Sequence, residues 1–71
     1  MAKKLKRFKE MKQFMTDLIG YKSDEKLATD LGITARHLRY CISNNKIPYG
    51  VTVKWALKHH VNLEILMLKE V

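Results

Sequence analysis

The stretch "KLATDLGITARHLRYCISNNKIPYG", from Lys26 to Gly50, decides how this chain folds. Leu27, Ala28 and Leu31 recur at the spacing that lines up apolar side chains on one helix face. Gly32 follows them, and glycine takes a positive φ at little steric cost, so a tight turn is expected there. Thr34 is a favoured N-cap for a second helix whose inward residues are Leu38, Cys41 and Ile42. Asn44 and Asn45 are poor helix-interior residues and close it. Two short helices joined by a brief turn with glycine make a helix-turn-helix pattern, and Ala28 is small where the two would cross.

The second helix does not have the surface of a plain packing helix. Such a helix carries Lys and Glu in i, i+4 pairs on its solvent side. Here Arg36, Arg39 and Tyr40 lie opposite Leu38 and Cys41, Ser43 continues that face one turn on, and no acid is near. A helix of this kind presents its first residues to base edges in the major groove of DNA. Arg36 and Arg39 are candidates for bidentate contact with guanine O6 and N7, and Ala35 for a thymine methyl. Thr34 is expected to bond a phosphate while capping the helix, and His37 to meet a phosphate from an exposed position. Asn44, Lys46 and Lys26 complete the expected DNA-binding set around this motif.

Outward from the motif, the pattern stays helical. Leu5, Phe8, Met11, Met15 and Leu18 predict a first helix over about Leu5 to Leu18, with Phe14 and Ile19 widening the stripe and Gly20 ending it. Ser23 caps the helix that carries Leu27, with Asp24 and Glu25 suiting the positive dipole end. Ile47-Pro48 marks an extended step before a fourth helix from about Tyr49 to His59, with Val51, Trp55 and Ala56 inward. Asn62 caps a fifth from Leu63 to about Lys69. No strand pattern competes, so the expectation is an all-α fold of five helices in a single domain spanning residues 1–71.

Composition narrows the function classes. The 71 residues hold 14 Lys and Arg against 7 Asp and Glu, a net charge of +7, which points to a polyanion partner. Residues 1–4 are expected to form a flexible basic arm whose Lys3 and Lys4 follow phosphates. One cysteine and no signal-peptide pattern imply a reducing, cytoplasmic setting, and Cys41 reads as a core thiol. No apolar run approaches the ~20 residues of a membrane span. His59 and His60 diverge on a helix and lack a Cys or acid at ligand spacing, so no metal is expected; they suit the negative end of helix four. Neither a carboxylate pair nor a glycine-rich phosphate loop supports an enzyme, and no cofactor or small-molecule ligand is expected.

The span from Ser23 to about Lys69 resembles the DNA-binding domain of the bacteriophage CI repressor family, within the lambda-repressor-like fold. The residues that carry the likeness are "KSDEKLATDLGITARHL", then "IPYG" leading into "VKWALKHHVNLEILMLKE". The resemblance implies a five-helix domain that dimerises on a partly palindromic operator and represses phage promoters. It assigns recognition-helix positions to Thr34, Ala35, Arg36, Arg39, Tyr40 and Ser43. Cys41 stands where many members have Trp, and Ile65 where an aromatic is common; both exchange one buried type for another. Where the family continues through a Thr-Gly-Glu-like turn into a second, self-cleaving domain, this sequence has Leu68-Lys69-Glu70. The expectation is therefore an N-terminal domain or a stand-alone small regulator.

Leu63, Ile65, Leu66, Met67 and Leu68 make helix five apolar on more sides than one packing face needs. Its outer side is expected to form a two-fold contact with a second copy. Two other readings stay open. One is an antitoxin-like or regulatory module that binds another protein through helix five. The other is an interaction module with a basic coat and no sequence preference.

Overall fold

Helices begin and end where something satisfies their free terminal N–H and C=O groups, and this chain supplies such groups at almost every junction. A computed structural model describes residues 2–70. In chain order they form β1 (Lys3–Leu5), α1 (Phe8–Ile19), α2 (Asp24–Leu31), α3 (Ala35–Asn44), α4 (Tyr49–Lys58), α5 (Leu63–Met67) and β2 (Leu68–Glu70). Ser23 Oγ accepts the Lys26 N–H at 3.3 Å, and Thr34 Oγ1 accepts the His37 N–H at 3.0 Å. Asn62 Oδ1 accepts from Glu64 at 2.8 Å and Ile65 at 3.4 Å. Gly32 ends α2 at φ 83°, a left-handed conformation that side chains disfavour, which fixes a short turn into α3.

Asn45 does two things at once. It ends α3 in the left-handed region at φ 49°. Its side-chain Oδ1 also accepts the N–H of Phe8 at 2.9 Å, capping α1 from a residue 37 positions away. Arg7, the residue before α1, makes no side-chain cap of its own. Asparagine tolerates the left-handed region better than other side-chain-bearing residues, so one residue closes one helix and opens another.

The helices meet around one core. Phe8, Met11 and Met15 of α1, Leu27 and Leu31 of α2, Leu38 of α3, Trp55 of α4 and Leu66 of α5 pack together. Ala28 is buried where α2 crosses its neighbours, and Cys41 is buried on the inner side of α3. Burial pushes the Cys41 thiol up, away from the reactive thiolate form. Thr52 is fully buried too, and its hydroxyl donates to the Pro48 carbonyl at 2.9 Å instead of meeting water. Val51, expected inward, is half-buried.

The termini depart from expectation. The described residues form five helices, as an all-α-like fold requires, and add one small sheet in which β1 and β2 pair antiparallel, with Lys3 opposite Glu70 and Leu5 opposite Leu68. The Lys6 N–H extends the pairing to the Met67 carbonyl at 2.7 Å. Lys3 and Lys4 are therefore strand residues and not part of a loose arm; Met1 lies outside the described residues. Lys3 also holds Glu64 at 3.0 Å, and Lys69 reaches Glu10 of α1 at 2.8 Å. Leu5 continues the apolar spacing of α1 but belongs to this ribbon, so α1 starts at Phe8. The last turn of α1 runs past the core, leaving Leu18 and Ile19 exposed. Helix five ends at Met67 and not Lys69, because Leu68 turns into β2.

Asn45→Gly keeps the left-handed backbone but removes the acceptor for Phe8, and is expected to cost about 1 kcal/mol. Asn45→Ala removes both and should cost more, by roughly the additional 1 kcal/mol of a left-handed non-glycine residue. Urea denaturation of the three proteins checks the order; equal stability of the glycine variant and the parent would contradict the cap.

Candidate nucleic-acid interface

The inner side of α3 is fixed by Leu38 and Cys41, so helix periodicity turns Arg36, Arg39, Tyr40 and Ser43 outward. All four are exposed, and Tyr40 keeps half of its surface in water. Neither arginine enters an ion pair among the described residues, although Lys3, Lys12, Lys58 and Lys69 each do. The reason lies in the chain: from Leu31 to Leu63 there is no Asp or Glu at all. The two guanidinium groups thus stand solvated on a short helix whose backbone is held from the other side. Their planar, forked donors match acceptor pairs on a guanine edge or a phosphate.

The neighbouring residues sort themselves by what they already bond. Thr34 Oγ1 accepts as the N-cap, which leaves its hydroxyl proton to donate elsewhere. Ala35 is half-buried and packs against the core, so only part of its methyl faces out. His37 is exposed, but its Nε2 lies 3.6 Å from Cys41 Sγ and its ring stacks near Tyr40 at 6.4 Å between centroids. Asn44 donates to the Tyr40 carbonyl of its own helix at 2.9 Å. Lys46 is exposed just past the end of α3. Lys26 is exposed in the first turn of α2, next to Glu25.

Between α2 and α4 lies a polar cluster that sequence reading missed. The carboxylate of Asp30, on α2, accepts from Tyr21 in the α1–α2 turn, from Lys58 at the end of α4, and from His59 Nε2 at 2.8 Å. The Tyr21 hydroxyl in turn accepts from Trp55 Nε1 at 2.8 Å, and the Trp55 and His59 rings lie 4.7 Å apart. The Lys58 ammonium, helped by the Tyr21 hydroxyl and His59, holds the Asp30 carboxyl well below the usual carboxylate range. Burial first, and Asp30 second, push the Tyr21 hydroxyl up to about 12. This cluster binds α2 to α4 and so fixes the turn that aims α3. His59 ends α4, as its sequence position implies, and spends its ring on Asp30. A spacing rule could not find the cluster, since its hydrogen bonds join residues 9 to 34 positions apart.

The residues expected to form an apolar outer face divide. Leu66 is fully buried and belongs to the core, so it is removed from any contact surface. Met67 and Leu68 are half-buried, the second as the first residue of β2. Leu63 and Ile65 remain exposed, the second at 58%. Lys3 and Lys4 stand on β1 with the ribbon, tied to the last strand and not to α3. Among the described residues, no three His, Cys, Asp or Glu side chains gather as metal ligands, and no helix is long and apolar enough to cross a membrane.

A depressed carboxyl contributes stability above its unfolded pKa of about 3.9 and loses it as pH falls further. A raised tyrosine contributes below pH ~10 and loses it as pH climbs toward 12. Asp30→Asn should therefore lower stability at pH 7 by about 1–3 kcal/mol, since the amide cannot accept from three donors. The gap to the parent should shrink as both are denatured at progressively lower pH below 4. A gap that stays constant with pH would show that the Asp30 charge plays no part.

Compared with known proteins, the chain matches no protein-family model, no curated protein and no solved structure.

Proposed function

We propose that this chain is a sequence-specific double-stranded DNA-binding domain of the lambda-repressor-like kind, a transcriptional repressor of the phage CI type that places α3 in the major groove. The observation that carries this reading is the outer face of α3. Arg36, Arg39 and Tyr40 are exposed, free of acidic partners among the described residues, and mounted on a helix anchored by Leu38 and Cys41. Anchoring matters because base readout needs donors held in fixed register, whereas a solvated coat does not. Arg36 and Arg39 read guanine; Tyr40 and Ser43 contact neighbouring base edges or sugar; Thr34 and Lys46 position the helix on phosphates. The role is binding and not catalysis, in a cytoplasmic, DNA-associated setting.

Leu63 and Ile65 favour one addition to this reading, a two-fold contact between copies through α5 that would match a partly palindromic operator. The competing role for the same exposed pair is capture of a different protein.

Selecting bound duplexes from a random pool at moderate salt tests the main reading. A two-fold symmetric site with half-sites about one helical turn apart is expected. Arg36→Ala and Arg39→Ala should each cost about 1–3 kcal/mol and relax one base position. A pool that is bound but not enriched would reduce the arginines to phosphate contacts. For α5, sedimentation of Ile65→Asp should give monomer at concentrations where the parent self-associates; a parent that stays monomeric at millimolar concentration would remove the dimer.

A further inference from the structure

The acids at the two ends of the helix-turn-helix are balanced in different ways. The entry to α2 holds Asp24 and Glu25 in its first turn, with Lys12 of α1 on Asp24 at 2.9 Å and Lys22 and Lys26 beside them in sequence. At the exit of α3 the nearby acid, Glu10 in the first turn of α1, is taken up by Lys69 at 2.8 Å. The hydrogen bond from the Phe8 N–H to Asn45 seats the first turn of α1 beside Lys46, so Arg7 and Lys9, which flank Phe8 in sequence, arrive at the same end of the motif. Phe8 is fully buried while Arg7, Lys9 and Lys46 are exposed, and none of the three enters an ion pair among the described residues.

We propose that Arg7, Lys9 and Lys46 form a phosphate grip, gathered by the Asn45–Phe8 hydrogen bond, that holds the DNA strand flanking the groove at the exit end of α3. This inference rests on the DNA-binding reading above and assigns part of that site to α1. The ligand is the duplex backbone, so the grip adds affinity and register without adding sequence preference. Lys22 lies in the turn before α2, at the other end of the motif.

Salt dependence separates these roles, because each phosphate neutralised on duplex DNA contributes about 0.9 to the slope of log K against log salt. Binding to a duplex of the enriched sequence, and to one of random sequence, is measured between 50 and 200 mM salt for Arg7→Gln, Lys9→Gln, Lys46→Gln and Lys22→Gln, with thermal melts confirming folding. The three grip variants are each expected to lower the slope by about 0.9 on both duplexes, with base preference unchanged. Lys22→Gln should keep the parental slope, and Lys46→Arg should restore what Lys46→Gln loses. Specific binding with parental slopes in all three grip variants would overturn the grip and leave the α3 reading standing. A changed base preference would overturn it as well, by making these residues base readers. If the parent binds neither duplex, the grip and the DNA-binding reading fall together.

Discussion

The Asp30 carboxylate receives donors from three separate places: the turn before α2, the end of α4, and the residue that closes α4. A carboxylate withdrawn from water is costly unless its lone pairs are taken up, and here the only geometry that takes them up is the folded one. The core alone would hold α2 against α4 with greasy contacts that tolerate sliding. The Tyr21, Lys58 and His59 donors do not tolerate it, because hydrogen bonds weaken steeply with angle. Since α3 follows α2 after a turn of three residues, wherever α2 is pinned the arginines of α3 are aimed.

Asn45 plays the matching part at the other end of α3. It fixes where the helix stops and lends its side chain to the start of α1. The chain ends are drawn together by β1 and β2, with Lys3–Glu64 and Lys69–Glu10 as flanking pairs. These exposed pairs add little individually. Their consequence is distributional: the acids pair with lysines at the ribbon, at the start of α2 and at the end of α4, and the sequence from Leu31 to Leu63 holds no acid. Net positive charge is thereby left on the surface that would meet a polyanion.

Local rules made most of the helices legible. Ser23, Thr34 and Asn62 sit at N-caps because their short acceptors reach the N–H groups two or three residues on, and Gly32 ends α2 because its backbone goes left-handed freely. The alternation of Leu38 and Cys41 with Arg36, Arg39 and Tyr40 placed the outer face of α3 correctly, since helix periodicity is geometry. What stayed hidden was non-local. Leu5 keeps the α1 spacing, yet pairing with Leu68 claims it, and no pattern within three lysine-rich residues announces a strand. Asp30 reads as an ordinary solvent-facing acid until Tyr21, Lys58 and His59 fold around it. The apolar excess of α5 is partly answered inside the molecule, with Leu66 in the core, while Leu63 and Ile65 stay outside.

DNA recognition as proposed depends on α3 as the surface that meets DNA in one register. Its most direct test is a titration of the ¹⁵N-labelled chain with the enriched duplex, following backbone amides and arginine Nε–H signals. The largest shifts are expected on Ala35 to Lys46, and the Arg36 and Arg39 Nε–H signals should sharpen as their side chains lock onto bases. Small, uniform shifts over all exposed lysines, with both arginine signals still averaged, would contradict this mode of recognition.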